Sequence, residues 1–527
     1  MTLKHRAAAA GALLIAVSAG STALAQKQGG ILKIPSADSP ASMSILEDVG
    51  ASTQGPMMGV FNNLVMFDQH VKQNSLGSIV PDLATSWSWN EDGTELTFSL
   101  RQGVRWHDGR PFTAKDVQCT WDLLLEQSSE RLRVNPRKSF YRNVEAVNTT
   151  GSYEVIFHLR RAQPAFPMLL ADGNSPIYPC HVSPTQMRKH PIGTGPFKFV
   201  EFRPNESIKV TRNQEYWKPN RPYLDGIEYT IIPSLATRML AFTAGKLDIA
   251  FLGAVLSKDV QNQMPQATCE LTPNGINRHL IVNRDKPPFD SPDLRRAMAL
   301  SVDRQAFINT IGQGEGDIGG VLQPPPGGLW GMPPDQLRQL PGYDPDVQKN
   351  RAEARTIMEK LGYGPDSRLK IKVSTRDLPV FRDPAVILID QLKEVYVDGE
   401  LDPIDGALYY PKIRRKDYIV GLNLQEAGPD PDPILDVLYG CRSTLNWDAY
   451  CSPEVERLIE QQSMEGDPER RKQLLWAIER KLAEDDVRPI IFYSRAGICR
   501  QPWVKGLTIM VNSIFNGNRR EDVWLDK

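Results

Sequence analysis

The sequence predicts an α/β protein, and three observations carry that expectation. Segments of period two and segments of helical period alternate from Pro191 to Leu252 and again beyond Thr272. Turn formers punctuate them throughout, with 41 prolines and 39 glycines. A length of 527 residues supplies two or three domains, with no low-complexity linker and no short-period repeat. Strands alternating with helices imply largely parallel pairing. With 41% hydrophobic and 24% charged residues the composition is that of an ordinary soluble chain.

In chain order, the first element is a leader. Lys4, His5 and Arg6 precede a run of small apolar residues ending at Ala23-Leu24-Ala25, which reads as a secretory signal peptide spanning 1–25 and cleaved after Ala25. The apolar run is too short to span a bilayer comfortably, and no cysteine stands near the cleavage point to carry a lipid. Without Lys4 and Arg6, 60 basic residues face 63 acidic ones, so no nucleic-acid partner is expected.

The stretch SWSWNEDGTELTFSL places Trp87 and Trp89 on one face, a turn at Asp92-Gly93, and Leu96, Phe98 and Leu100 on the return, a β-hairpin with one buried face. Thr113 stands three residues before Asp116 at a helix start, and Val117, Trp121, Leu124 and Leu125 follow at helical spacing. His107-Asp108 lies in the connector between hairpin and helix. With no serine or cysteine nucleophile placed by motif, the pair reads as a turn network and not a catalytic dyad. Strands follow at Phe197–Phe202, Ser207–Thr211 and in GIEYTIIP, then a helix and strand in SLATRMLAFTAGKLDIAFL. Past Thr272, HLIVNRD, LKIKVST and DYIVGLNL read as strands, and DLRRAMALSV, RAEARTIMEKLGY and PAVILIDQLKEVY as helices.

Among six cysteines, Cys441 and Cys451 enclose a short polar loop before a helix and form the expected local disulfide, which restricts the unfolded chain by roughly 2–3 kcal/mol. Cys119, Cys180, Cys269 and Cys499 are read as mostly buried thiols. No C-x-x-C, G-x-S-x-G, phosphate loop or H-E-x-x-H is present, and the seven histidines have no spacing suited to a metal site; neither cofactor nor enzymatic activity is expected. GTGPF fits a turn before a strand better than a phosphate loop.

IVPDLATSWSWNEDGTELTFSLRQGVRWHDGRPFTAKDV, GTGPFKFVEF, AGKLDIAFL, FDSPDLRRAMALSVDRQAFI and LYGCRSTLNWDAYCSPEV, in this order, resemble the family 5 solute-binding proteins of ATP-driven (ABC) importers, the group with the dipeptide-, oligopeptide- and nickel-binding proteins. The resemblance covers nearly all of the chain after the leader. It implies a two-lobed periplasmic binding protein fold with an extra N-terminal subdomain and a ligand cleft between the lobes. The expected partition is lobe I at 26–58, an inserted subdomain at 59–188, lobe I again at 189–272, lobe II at 273–500, and a return to lobe I at 501–527. The implied role is a monomeric periplasmic receptor passing a di- or oligopeptide to inner-membrane permease subunits; an opine, oligosaccharide or metal chelate is the alternative cargo.

The resemblance also implies site residues. The family's carboxylate-binding arginine in P-V-x-R matches LPVFRDP at Arg382, with Arg376 as the alternative; a guanidinium fork suits both oxygens. Its amine-binding aspartate precedes a G-D-P-D turn, and here that neighbourhood holds Glu426 and Ala427, with Asp430 and Asp432 in the turn. Glu426 either replaces the aspartate with a longer reach or marks a ligand without an α-amine. Asn446 and Trp447, inside the cysteine loop, and Tyr409 with Tyr410 are further candidates, each also compatible with packing. Two other classes remain as alternatives: a secreted hydrolase using His107-Asp108, and a chaperone or chemoreceptor adaptor.

Overall fold

The computed structural model describes residues 26–527, apart from Val49, Thr444 and the Ala407 side chain. The leader and its cleavage point lie outside the described residues. Strand β1 (Ile31–Ser36) comes first. The Trp-rich stretch then forms β2 (Ala84–Trp89) and β3 (Glu95–Leu100), and with β4 (Val144–Thr149) and β5 (Glu154–Leu159) it makes an antiparallel sheet of order β2-β3-β5-β4. Trp87 opposes Phe98, ring centroids 6.4 Å apart, and Leu96, Phe98 and Leu100 are buried as the alternation requires. Helix α1 (Ala114–Leu124) begins at the expected capping box, with Thr113 as N-cap and Asp116 returning a bond to the Thr113 amide at 2.9 Å.

The chain returns to β1 through β6 (Phe197–Arg203), β7 (Ser207–Arg212) and β8 (Gly226–Ile231), giving the sheet β1-β8-β7-β6. The larger sheet runs β9-β14-β10-β13-β11-β12: β9 (Ile249–Phe251), β10 (Thr268–Val282), β11 (Leu369–Arg376), β12 (Val397–Ile404), β13 (Val420–Glu426) and β14 (Ile490–Arg500). The expectation of largely parallel pairing is corrected here. Only β1 with β8, and β11 with β12 and β13, are parallel; the other ladders of these sheets are antiparallel. Hairpin connections dominate the first half, and a period-two pattern does not encode the direction of its neighbour.

Helices α2 (Pro292–Ser301), α3 (Val347–Lys360) and α4 (Pro379–Lys393) share a core with the larger sheet, α5 (Gly406–Arg414) packs on it through Tyr409 and Ile413, and α6 (Asp432–Tyr439), α7 (Pro453–Met464) and α8 (Pro468–Glu484) pack together in a cluster of their own. Ser291, Asp346, Ser452 and Asp467 each accept the third helical amide at the start of α2, α3, α7 and α8.

Apolar packing separates two lobes. One core gathers buried residues between Leu32 and Ile249 and between Ile498 and Leu525; another gathers Leu280 to Phe492. β10 and β14 run from one to the other. They pair from Thr268–Arg500 to Pro273–Arg495, then lose register before resuming at Asn277–Tyr493. The C-terminal segment is tied to the first lobe by Arg519, whose guanidinium meets Asp82 at 2.8 Å with both side chains fully buried.

The cysteine assignments need one correction. Cys441–Cys451 pairs as expected, but Cys119–Cys180 and Cys269–Cys499 are also disulfides, not thiols. Their partners lie 61 and 230 residues apart, brought together by tertiary structure alone. Cys269 and Cys499 are directly opposed on β10 and β14.

Candidate functional site

The connector around His107 is a structural corner. The His107 ring bonds the Gly195 carbonyl through Nε2 at 3.0 Å, and its Nδ1 accepts the Gly193 amide at 3.2 Å. Burial pushes its pKa down to about 4. Asp108 turns away to His181 at 2.6 Å, so the two side chains form no dyad. Gly193 and Gly195 press on the Val60 backbone, where an added Cβ would lie 1.9 and 2.6 Å from its carbonyl oxygen, so GTGPF is a clamped turn between His107 and Val60.

The two lobes meet along a polar belt. Arg376 closes β11, and its Nη2 stands 3.6 Å from the carboxylate of Asp38, in the loop after β1. Its guanidinium lies over the rings of Phe381 at 5.2 Å and Tyr410 at 5.6 Å. Among the described residues its buried Nε has no partner. Gly406 opens α5 against this group; a Cβ there would lie 2.9 Å from Nη2.

On the lobe I side, Arg137 is buried and donates to the carbonyls of Ile45 at 3.3 Å and Asp48 at 3.1 Å and to Asn174 Oδ1 at 2.8 Å. Asp172 accepts the Asn174 amide at 2.9 Å, and burial raises its pKa despite Arg137 nearby. Glu426, the last residue of β13, reaches from lobe II to accept the Ile514 amide at 2.8 Å. Burial, reinforced by the charge of Asp172, pushes its pKa up to about 8. A guanidinium whose Nε has no partner among the described residues at one end of the belt, and Asp172 with Glu426 at the other, can hold a solute with a carboxylate and a hydrogen-bonding group.

The residues singled out from the sequence divide between this belt and the scaffold. Arg376, Tyr410 and Glu426 belong to the belt. Arg382 lies on the first turn of α4 with its side chain 41% exposed, paired with Asp377 at 3.0 Å. Asp430 is locked in a buried two-pronged pair with Arg471 at 2.7 and 2.6 Å. Asp432 accepts Gln462 at 2.6 Å and, across the lobes, Gln163 at 2.5 Å. Asn446 braces the cysteine loop through the Gly440 carbonyl at 3.1 Å and the Tyr450 amide at 3.1 Å. Trp447 and Tyr409 are buried in one cluster with Ile404, Ile413 and Tyr418, and the Tyr409 hydroxyl donates to the Leu422 carbonyl at 3.2 Å. Asp38, Arg137, Asp172 and Asn174 were missed. They sit in irregular segments without motif, and only the fold brings them to the lobe boundary.

The middle-region sequence model of the bacterial extracellular solute-binding proteins, family 5, matches residues 78–446. The chain is 23% identical over 471 residues to Di/tripeptide-binding protein 3 of Pseudomonas aeruginosa, covering 84% of each. It superposes with a TM-score of 0.82 on the Helicobacter pylori periplasmic binding protein DppA in complex with the peptide STSA, at 21% identity over 95% of this chain and 99% of that one. The same score relates it to AgaA from A. tumefacien R10 in complex with agropinic acid, at 22% identity over 94% and 99%.

Proposed function

Because the chain belongs to the bacterial extracellular solute-binding proteins of family 5, the receptors of ABC importers, we propose that it captures a small carboxylate-bearing solute, a di- or oligopeptide first of all. It hands this cargo to inner-membrane permease subunits, acting in the periplasm as a monomer after loss of the leader at Ala25. Among the described residues no helix is long and apolar enough to cross a membrane.

The observation that carries this reading is Arg376. A guanidinium held between aromatic rings at the lobe boundary, with an Nε that has no partner among the described residues and the Asp38 carboxylate 3.6 Å away, is prepared for a second pair of oxygens. We assign the carboxylate anchor to Arg376 in preference to Arg382, whose exposed side chain is engaged by Asp377. A ligand contacting Arg376 and Glu426 of lobe II together with the Asp38 and Asp172 side of lobe I stabilises closure, because those contacts exist only when the lobes meet. The pivot of that closure is the register break between Pro273 and Asn277 in β10. Accordingly lobe I comprises 26–58, 189–272 and the return 501–527, with the subdomain 59–188 inserted and lobe II at 273–500.

One observation favours a non-peptide cargo as the second reading. Ala427 occupies the neighbourhood of the family's amine-binding aspartate, and Glu426 is held protonated near neutral pH, so the belt offers an ammonium less charge than a free carboxylate would. Native mass spectrometry of the purified protein identifies co-purified cargo, and calorimetry with dipeptides and with non-peptide amino acids tests the order of preference. Binding of neither class, or binding indifferent to Arg376→Ala, refutes the proposal.

A further inference from the structure

The lobes also meet where the inserted subdomain faces the cluster of α6, α7 and α8. The subdomain belongs with lobe I, since Leu64, Phe98, Phe157 and Tyr178 share one apolar core with Leu32 and Ile34 of β1. Phe140, in the single helical turn Lys138–Tyr141, packs both against that core and against the cluster that holds Leu435 and Ile459. Around this bridging ring, polar groups face one another in pairs. Arg142 forms an ion pair with Asp436 of α6, Arg161 stands 3.9 Å from Glu460 of α7, and Gln163 donates at 2.5 Å to Asp432, the first residue of α6.

The contact is ordered on both sides. Asn143 donates to Gln163 Oε1 at 2.9 Å and to the Arg161 carbonyl at 3.1 Å, which fixes the Gln163 amide with its Nε2 aimed across the boundary. On the other side Gln462 donates to Asp432 at 2.6 Å and accepts Arg471 at 3.1 Å, and Arg471 holds Asp430. Asn143, Gln163, Asp432, Gln462, Arg471 and Asp430 are all buried, so one hydrogen-bond chain crosses from body to body out of water. The charges divide in the same way. Burial pushes the Asp436 carboxyl up to about 6; Arg142 and Arg161, which oppose the shift, belong to the subdomain, whereas Asp432 and Glu456, which add to it, belong to its own lobe.

The acids of this contact therefore stand on lobe II and their cations on the opposite body. When the lobes part, Asp432 gives up one of its two amide donors and Asp436 loses its cations to water. Resting on the receptor reading above, we propose that Arg142 and Gln163 are positioning residues for closure: with Asp436 and Asp432 they form a clasp between subdomain and α6 that sets the fraction of cargo-free receptor standing closed. The clasp includes none of the residues assigned to cargo. It acts on affinity through the closed fraction alone, and so by the same factor for every cargo.

Spin-label distances in the full chain test it without cargo. The six cysteines are all in disulfides, so Ser129→Cys in the subdomain and Arg457→Cys in lobe II, both exposed, alone take the labels. The cargo-free protein should show a short-distance population. Arg142→Glu, which sets two acids face to face, should deplete it by about fivefold or more, and combining it with Asp436→Arg should restore it. Gln163→Leu, which removes the amide at similar volume, should deplete it as well. Thermal melting checks that each variant is folded, and a variant that merely loosened the fold would not be mended by the charge exchange. An unchanged distance distribution in Arg142→Glu, or an exchange that fails to restore it, overturns the proposal. Calorimetry with the dipeptide Ala-Leu and with octopine gives the second readout: in Arg142→Glu both affinities should fall by the ratio of the closed fractions. A change in the selectivity between the two probes overturns the proposal, because the clasp would then be touching cargo. If wild type binds neither probe, the receptor reading fails while the distances still decide the clasp.

Discussion

The guanidinium of Arg376 and the carboxylate of Asp38 approach to 3.6 Å from opposite lobes, one at the end of β11 and the other just after β1. Each strand belongs to a different core, so the pair exists only while the lobes are apposed. On the proposed assignment, a ligand carboxylate at Arg376 would compete with or join Asp38, and either way it would act on the closed state.

The first prediction follows from that pair. Arg376→Ala should weaken binding of a carboxylate ligand by about 2–4 kcal/mol, the cost of stranding a desolvated charge. Arg376→Lys should recover only part, since one ammonium lacks the two-pronged contact. Arg382→Ala should leave affinity nearly unchanged, because its partner is the neighbouring Asp377 on the surface. Calorimetric titration of the three variants ranks them; a larger loss at Arg382 than at Arg376 reverses the assignment.

Glu426 makes stability depend on pH with a definite sign. Its folded pKa, about 8, lies above the ordinary value of 4.5, so between those two values the folded protein holds a proton that the unfolded chain has released. The contribution is full below pH 4.5 and is lost as pH rises through 8. Glu426→Gln keeps an acceptor for Ile514 without the ionisation. The melting temperature of the variant relative to wild type should therefore climb from pH 5 to pH 8.5, about half a unit beyond the folded pKa; a flat difference contradicts the burial of an ionisable carboxyl there.

Peptide mapping without reduction should recover Cys119–Cys180, Cys269–Cys499 and Cys441–Cys451 as the three linked pairs. On the chain-entropy argument, losing the short Cys441–Cys451 link should cost about 3 kcal/mol and losing Cys269–Cys499, which closes a far longer loop, about 5 kcal/mol. Denaturant unfolding of the paired Cys→Ser variants measures the order, and an inverted order shows that strain or residual structure outweighs loop length.

His107→Ala should lower stability by about 1–2 kcal/mol and leave affinity unchanged, since the ring serves two backbone groups at Gly193 and Gly195. With its pKa lowered to about 4, the ring adds stability that is present above its ordinary pKa of 6.5 and is lost as pH falls toward 4. Thermal melts of wild type and variant should converge on acidification. Turnover of an ester or peptide abolished by the same substitution would contradict the structural role.

How much of this was legible in the sequence depended on whether the signal was local. The Trp87–Phe98 hairpin and the Thr113–Asp116 cap were readable because alternation and capping act over a few residues. Cys441–Cys451 was readable for the same reason, with partners 10 residues apart. Cys269–Cys499 and the sense of strand pairing were not, because nothing near Cys269 encodes a strand 230 residues later. In the proposed site, Arg376 and Glu426 close strands that the pattern predicted only as far as Thr375 and Leu424. Their counterparts Asp38, Arg137 and Asp172 lie in irregular segments, and their meaning arises only when β1 and β11 come to the same boundary. Arg382 shows the converse, for its motif matched while helical geometry directed its side chain to solvent.

The last prediction concerns the buried pair Asp82–Arg519, which fastens the C-terminal segment carrying Ser513 and Ile514 to lobe I. Asp82 serves more than one donor: Arg519 Nη1 and Asn62 Nδ2 at 2.8 Å each and the Asn63 amide at 2.9 Å. Arg519 has two further nitrogens, Nε and Nη2, without partners among the described residues. The two deletions are therefore unequal. Asp82→Ala strands a buried guanidinium and two amide donors and should cost about 4–5 kcal/mol, the upper part of the range for breaking a buried pair. Arg519→Met removes the unpartnered nitrogens with the charge and leaves Asp82 its amide donors, so about 2–3 kcal/mol is expected. Because Ile514 is the donor to Glu426, both variants should also raise ligand dissociation rates more than a core substitution of equal destabilisation, such as one at Leu388. Denaturant melts give the first comparison and stopped-flow release the second. Equal stability losses, or release rates that track stability alone, show that the C-terminal segment is not held to the lobe boundary through this pair.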